Sequence, residues 1–408
     1  MTSGRGTDGS QAAIGEDGVA AAERLDRVRR RFREFAVEYS SLPLYGVVSR
    51  HVADDPATAV LLTGARPGQA RPVLWFAALH DLVLRRPEVP AARWYASVAG
   101  RDALPVGDPW PDVRATVLEH ADEIAHLIAT RTTQTNEVNR SVYLAAGLAA
   151  ATRTGDRSSS SPSAAAGSRG ISDARHRTRV ALVELGASAR LLLGLDRYRI
   201  TTVSESGLRS VVGDPASPVR CEGVDRSVGR QALQPLPQVV ARVGLDRHPV
   251  SLDDEDAVRW LLACLWPDVP GRVERFQAAR SLLLPDPPLV LQGDLVEDLG
   301  AAFDAALDGA AVGGGADHVV VYSSWALTYV APEHRSALAE ELSRRARSVP
   351  RLTWLTAEPP GCVPGLPHES RAAEAPTVLG LRTWFEGVET PARVVGVAHP
   401  HGAWVRAW

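Results

Sequence analysis

No lysine occurs anywhere in the chain; all 45 basic residues among its 408 are arginine. Schiff-base chemistry, a lysine general base and the lysine of a phosphate-binding P-loop are thereby excluded. Cysteine is nearly absent. Cys221, Cys264 and Cys362 lie far apart, with no C-x-x-C pair, so neither a zinc knuckle nor a redox couple is indicated and buried single thiols are expected. No apolar run reaches the ~18 residues that a membrane-spanning helix needs. The first 18 residues lack the apolar stretch of a secretion signal, so a cytoplasmic location is expected. Nor is there a strong charge of either sign. A net charge of −3 gives no bulk attraction to nucleic acid or to an anionic membrane, which leaves a small molecule as the expected partner and the oligomeric state open.

What is present changes period part-way along the chain. Residues 1–22 are small, polar and Gly-rich and are expected to stay unstructured. Leu25, Val28, Phe32, Phe35 and Tyr39 then recur at spacings of three and four, one face of an amphipathic helix. Further helices are read over 41–56, 71–86, 110–131 and 133–151, making a helical domain over 23–151. A Ser-, Gly-, Ala- and Arg-rich stretch, 152–178, reads as a flexible linker. Beyond it, Val- and Leu-rich runs at 179–185, 239–245, 288–292, 318–323 and 351–356 alternate with helical patterns at 254–265, 269–284, 296–308 and 332–347. This alternation predicts an α/β fold: an N-terminal all-helical domain, then over 179–408 a doubly wound, mostly parallel Rossmann-like sheet. Two runs without a helix between them, 377–387 and 392–408, predict a closing antiparallel hairpin.

In such sheets ligands bind at the carboxyl ends of the strands. Those ends carry Glu184, Gly186, Ala187 and Ser188 after the first strand and Asp246 after the second. Asp294 follows the third, and Tyr322, Ser323 and Ser324 end the fourth. An acid after the second strand suits ribose hydroxyls, because one charged acceptor can take both diol protons. Asp294 suits an adenine amino group and equally an N-cap for the following helix. The polar cluster at 131–140 holds Asn136, Glu137 and Arg140, which either cap and solvate a helix start or reach into a substrate pocket. His399 and His401 sit in the last hairpin, where a turn pair, a base and a substrate contact are all open. Without a third ligand nearby no metal is expected.

The segment 184–190, Glu-Leu-Gly-Ala-Ser-Ala-Arg, resembles the first motif of the class I S-adenosylmethionine-dependent methyltransferases, which is an acid, an apolar residue and three glycines at alternate positions. Glu184 and Gly186 match; Ser188 and Arg190 replace the second and third glycines. The resemblance implies S-adenosylmethionine held by Glu184, Gly186, Ala187, Ser188, Asp246 and Asp294. Asn136, Arg140 and Ser323 would lie toward a small acceptor, with Glu137 or His401 as a base. It also requires an insertion over 198–236, since Asp246 comes late. A nicotinamide dehydrogenase would want the glycine triple and an acid ~20 residues on, and has neither.

Over about residues 25–408 the chain also resembles the bacterial domain-of-unknown-function family 2332. The resemblance rests on SLPLY (41–45), VADDP (52–56), QTNEV (134–138) with Arg140, ELGAS (184–188), DRY (196–198), GDPASPV (213–219), WPD (266–268), Gly293-Asp294 and HPHG (399–402). Three positions depart from that family's pattern. Arg190 and Asn139 stand where it has glycine, and Ser323 where it often has histidine. A glycine-to-arginine exchange in a cofactor turn removes room by volume alone. This motivates an alternative expectation, a ligand-binding or scaffold protein on the same fold without turnover.

Overall fold

A computed structural model describes residues 8–153, 177–372 and 375–408, and its fold is mixed α/β. Most of the linker read at 152–178 lies outside the described residues, as do the first seven residues of the expected tail. The first helix, Asp8–Glu38, starts well before residue 23. Among the described residues no helix is long and apolar enough to cross a membrane.

The chain divides into two compact units. The first comprises residues 1–136 and 254–273, the second 137–253 and 274–408. Two helices therefore change sides relative to the expected domains. Helix Ser141–Ala151 belongs to the second unit, and helix Glu255–Ala263 to the first.

In the first unit, helix Pro72–Arg85 buries eleven of its fourteen residues. Trp75 and Phe76 from this helix meet Phe32, and the Tyr45 ring stacks on Phe76 at 3.9 Å between centroids. His80 and Asp81 are buried here for structural reasons. His80 contacts Ala263 O at 3.1 Å and Ser97 Oγ at 2.7 Å, and burial pushes its imidazole down to about 4, so it is neutral. Asp81 pairs with Arg85 and Arg259. The predicted helix over 110–131 is broken at His120 into Trp110–Glu119 and Ala121–Thr130; nothing in the sequence marks that break.

The second unit is built on one twelve-stranded sheet. Its strands are β1 (Arg179–Leu185), β2 (Arg199–Ser204), β3 (Arg209–Gly213), β4 (Arg220–Asp225), β5 (Gln238–Asp246) and β6 (Leu289–Gln292). They continue with β7 (His318–Ser324), β8 (Arg351–Glu358), β9 (Thr377–Phe385), β10 (Val388–Glu389), β11 (Arg393–Ala398) and β12 (Trp404–Ala407). The order is β3-β2-β4-β12-β11-β9-β8-β7-β1-β5-β6, with β10 on β9. The pairs along β6-β5-β1-β7-β8 are parallel, and the pairs β8–β9, β9–β11 and β11–β12 are antiparallel. The segment 198–236 is not a loose insertion. Its three strands extend the far end of the sheet, through the parallel pair of β4 with β12.

One face of β1, β5, β7 and β8 packs against helices Leu299–Val312 and Pro332–Arg345 through Val183, Val321, Trp354, Phe303 and Leu342. The other face holds helix Ser141–Ala151, of which ten of eleven residues are buried. A helix apolar on every side must be enclosed, and this one contacts β2, β4, β8, β9, β11 and β12. Alanine and glycine make the close approach possible: a Cβ on Gly147 would lie 2.6 Å from a Leu355 methyl.

Candidate functional site

Strand order reverses around β1. After β2–β4 at the far end of the sheet, the chain adds β5 and β6 on one side of β1 and then β7 on the other. Three of the four non-glycine residues with positive φ among the described residues lie at the carboxyl ends of these two central strands: Ser188 (+45°), Arg190 (+58°) and Trp325 (+57°). Such conformations cost energy and concentrate where a loop is held to a shape.

That shape is closed. The Gly186 and Ala187 amides both donate to Leu245 O, at 2.8 and 3.3 Å, and the Arg190 amide donates to Ala187 O at 2.6 Å. The Ser188 amide donates to Asp246 Oδ2 at 2.8 Å, while Asp246 Oδ1 accepts from His248 N at 2.8 Å. A Cβ on Gly186 would lie 2.6 Å from Ala326 Cβ, so the space over the glycine is already taken. The Arg190 guanidinium donates to Pro288 O and Val250 O. No regular helix follows; the chain makes a short 3-10 segment, Leu191–Arg197, and enters β2. Asp294 is committed as well. It pairs with Arg247 at 2.6 Å and accepts from Val296 N at 2.8 Å, contacts that hold its carboxyl below the usual range. The residues nominated for S-adenosylmethionine in these loops thus spend these donors and acceptors inside the protein. A nucleotide turn works by offering free amides and an uncommitted acid, so this turn does not fit the cofactor.

The cluster at 131–140 is split: Asn136 ends the first stretch of the first unit and Glu137 begins the second. Glu137 is buried, accepts from Asn139 N at 3.0 Å and lies 3.6 Å from Arg275. Asn139 bridges strand β4 and the β11–β12 turn, accepting from Glu222 N at 2.8 Å and donating to Glu222 O at 2.9 Å and His401 O at 3.3 Å. Arg140 donates to Ser324 O at 3.0 Å and Pro400 O at 3.2 Å, and the Tyr143 hydroxyl meets Ser324 Oγ at 2.8 Å. These contacts fasten the start of the enclosed helix to the middle of β4, to the end of β7 and to the β11–β12 turn. The histidines belong to that turn: His401 N donates to His399 Nδ1 at 3.1 Å. Gly402 (φ +74°) packs so tightly that a Cβ would lie 2.0 Å from Asn139 O. Gly402→Ala is therefore expected to cost roughly 3 kcal/mol or more, read as a lower urea midpoint; an unchanged midpoint would contradict this packing. Among the described residues no group of three His, Cys, Asp or Glu side chains is placed to hold a metal.

Two buried glutamates flank this junction on opposite faces of the sheet. Glu184 shares a face with Tyr322 and Leu355, as the strand register requires. The Tyr322 hydroxyl donates to Glu184 Oε2 at 3.2 Å, and burial drives the Glu184 carboxyl well above its ordinary range despite that bond and the Arg140 charge. Glu358, at the end of β8, lies on the other face with Ser323. It is fully buried, and its Oε1 accepts from Ala326 N at 3.1 Å. Glu358 Oε2 and Ser323 Oγ have no partner in hydrogen-bond geometry. Burial pushes the Glu358 carboxyl up to about 7, against the nearby Ser323 hydroxyl, the Ala326 and Leu327 amides and Arg140, all of which favour ionisation. Glu358 also belongs to the lining of a cavity of about 190 Å³, which Ser323 does not reach.

A family model described as an uncharacterized protein conserved in bacteria matches residues 29–408. The chain belongs to that family, DUF2332. No curated protein matches it. Several DUF2332-like motifs have structural work in this chain. Asp268 of WPD accepts from the Leu44 and Tyr45 amides at the start of helix Tyr45–Asp54. Asp55 of VADDP caps the next helix and pairs with Arg114. In DRY, Asp196 pairs with Arg242 and the Tyr198 hydroxyl donates to Leu191 O. Gly213 of GDPASPV (φ +80°) leaves no room for a Cβ against Tyr198 O. Arg190 adopts the left-handed backbone that suits glycine. Of the nominated residues, Ser323 alone stands beside an orphaned acid. That acid, Glu358, was missed, although its sequence signal is visible: an acid followed by Pro359-Pro360 at the end of a β-run.

Proposed function

We propose that this DUF2332 protein binds a small molecule at the carboxyl ends of β7 and β8 and does not use S-adenosylmethionine. The observation that carries this reading is the contrast between the two candidate sites. Every nominated group in the 186–190 turn is occupied by the protein itself, whereas Glu358, buried beside Ser323, belongs to the lining of a cavity of about 190 Å³. The order β6-β5-β1-β7-β8, all parallel, supports a Rossmann-like ancestry, with binding at the strand ends as in other doubly wound sheets.

That same strand order, with an acid ending β1, favours the methyltransferase as the second reading. Calorimetric titration with S-adenosylmethionine and with S-adenosylhomocysteine separates the two. The proposal expects no heat from either at millimolar ligand. Micromolar binding of either would overturn it and restore Glu184, Asp246 and Asp294 as cofactor residues.

A further inference from the structure

The sheet order ends in β3 on one side and in β6 on the other. An edge strand presents unpaired amides and carbonyls, and proteins blunt such edges with prolines, bulges or very short strands. β6 is treated in this way: it has four residues and follows Pro287 and Pro288. β3 carries no proline, and its register with β2 runs without a bulge. Its free side is readable from the ladder. Ser204 N donates to Leu208 O at 2.9 Å and Asp214 N to Tyr198 O at 3.1 Å. Bonded pairs alternate along an antiparallel ladder, and between those two bonds the register pairs Thr202 with Ser210 and Ile200 with Val212. The amides and carbonyls of Arg209 and Val211 therefore point away from β2.

We propose that this edge takes one more strand, an extended acidic segment of a partner protein. A cleft of about 700 Å³ is lined by all five residues of β3 and by residues 233–239. Strand addition draws its affinity from main-chain hydrogen bonds and its specificity from side chains. Here the side chains select negative charge. The titratable groups on the lining are Arg177, Arg209 and Asp196. Asp196 is bonded through both oxygens to Arg242, whereas Arg177 and Arg209 are exposed. Two exposed guanidinium groups attract carboxylates, which they bind with paired N–H donors, and they repel a basic segment. A second copy of this chain would bring its own Arg177 and Arg209 to the same place, like charge against like. Val211, 42% exposed, gives the incoming strand an apolar cross-strand neighbour. The cleft shares no lining residue with the cavity at Glu358.

The test is calorimetric titration of the full chain, at low salt, with acetyl-Glu-Val-Thr-Val-Glu-amide and with the same peptide carrying lysine in place of both glutamates. The acidic peptide should bind at least tenfold more tightly than the basic one. Val211→Pro deletes an amide that faces away from β2, a place where an edge strand tolerates proline. It should weaken the acidic peptide at least tenfold and keep the urea midpoint close to that of wild type. The double variant Arg177→Gln, Arg209→Gln leaves the backbone intact and should weaken the same peptide at least tenfold even if the proline variant folds poorly. Equal binding of the two peptides would overturn the charge class. Acidic-peptide binding that survives Val211→Pro in a folded protein would overturn strand addition, and no heat from either peptide would overturn both. A wild-type dimer in sedimentation that Val211→Pro dissociates would make a second copy the occupant. Binding that appears only when residues 154–176 are replaced by a Gly-Ser linker of equal length would make that segment the occupant. Either result would overturn the proposal.

Discussion

Glu358→Gln stabilises the protein at pH 8 and leaves it almost unchanged at pH 4.5. The sign follows from proton linkage. A carboxyl raised to about 7 in the folded state, from an ordinary value of 4.5, keeps its proton on folding over a range in which the unfolded chain has lost it. Folding therefore weakens as pH climbs from about 4.5 to 7 and levels off above. The full cost is about 3 kcal/mol at pH 8, from ~1.4 kcal/mol per pH unit. Glutamine cannot ionise, keeps an oxygen for Ala326 N and supplies an amide for Ser323 Oγ. Urea midpoints at pH 5, 6, 7 and 8 read the effect. The wild-type midpoint should fall with pH, and the variant should fall less. Its residual slope belongs to Glu184, whose carboxyl burial shifts in the same direction. Parallel wild-type and variant profiles would mean that Glu358 is not the titrating group.

Arg140→Leu is the most damaging single change expected at the junction, costing about 3–5 kcal/mol, as when one partner of a buried charge set is removed. The guanidinium holds the Ser324 and Pro400 carbonyls and is the cation that favours ionisation of both buried glutamates. Without it two buried carbonyls lose donors and both carboxyls rise further. The loss should be largest above pH 7. It should also shrink when Glu358→Gln is already present, because the second substitution removes one of the charges that Arg140 balances. Strictly additive effects at pH 8 would show that Arg140 acts only through its backbone contacts.

The parts of the fold that were legible in sequence are those with one dominant physical signal. The runs that became β1, β5, β6, β7 and β8 are dense in Val and Leu and end in polar or turn residues, and they were read to within about two residues of their observed ends. β2, β3 and β4 escaped because they carry no such run: β3 alternates exposed and half-buried residues, and Val203, Val211 and Val224 face solvent. Amphipathic spacing identified helix Glu255–Ala263 but says only that one face is buried, not against which unit. The site divides the same way. Residue types at the strand ends were readable, whereas Asp246 and Asp294 are spent on contacts within and between the strand-end loops. That commitment depends on loop geometry, which spacing does not encode. Glu358 ends β8, one strand beyond the four whose ends carry the nominated residues.

On the proposed reading, the ligand site of this sheet lies at the buried Glu358 carboxyl at the end of β8, not at the turn after β1. pH-difference infrared spectroscopy of wild type, Glu358→Gln and Glu184→Gln addresses it directly, because a protonated buried carboxyl has its own carbonyl band. The account predicts a band that disappears with a midpoint of about 7, is missing in Glu358→Gln and persists in Glu184→Gln. A wild-type protein with no such band above pH 5, or a band that Glu358→Gln leaves intact, would contradict it.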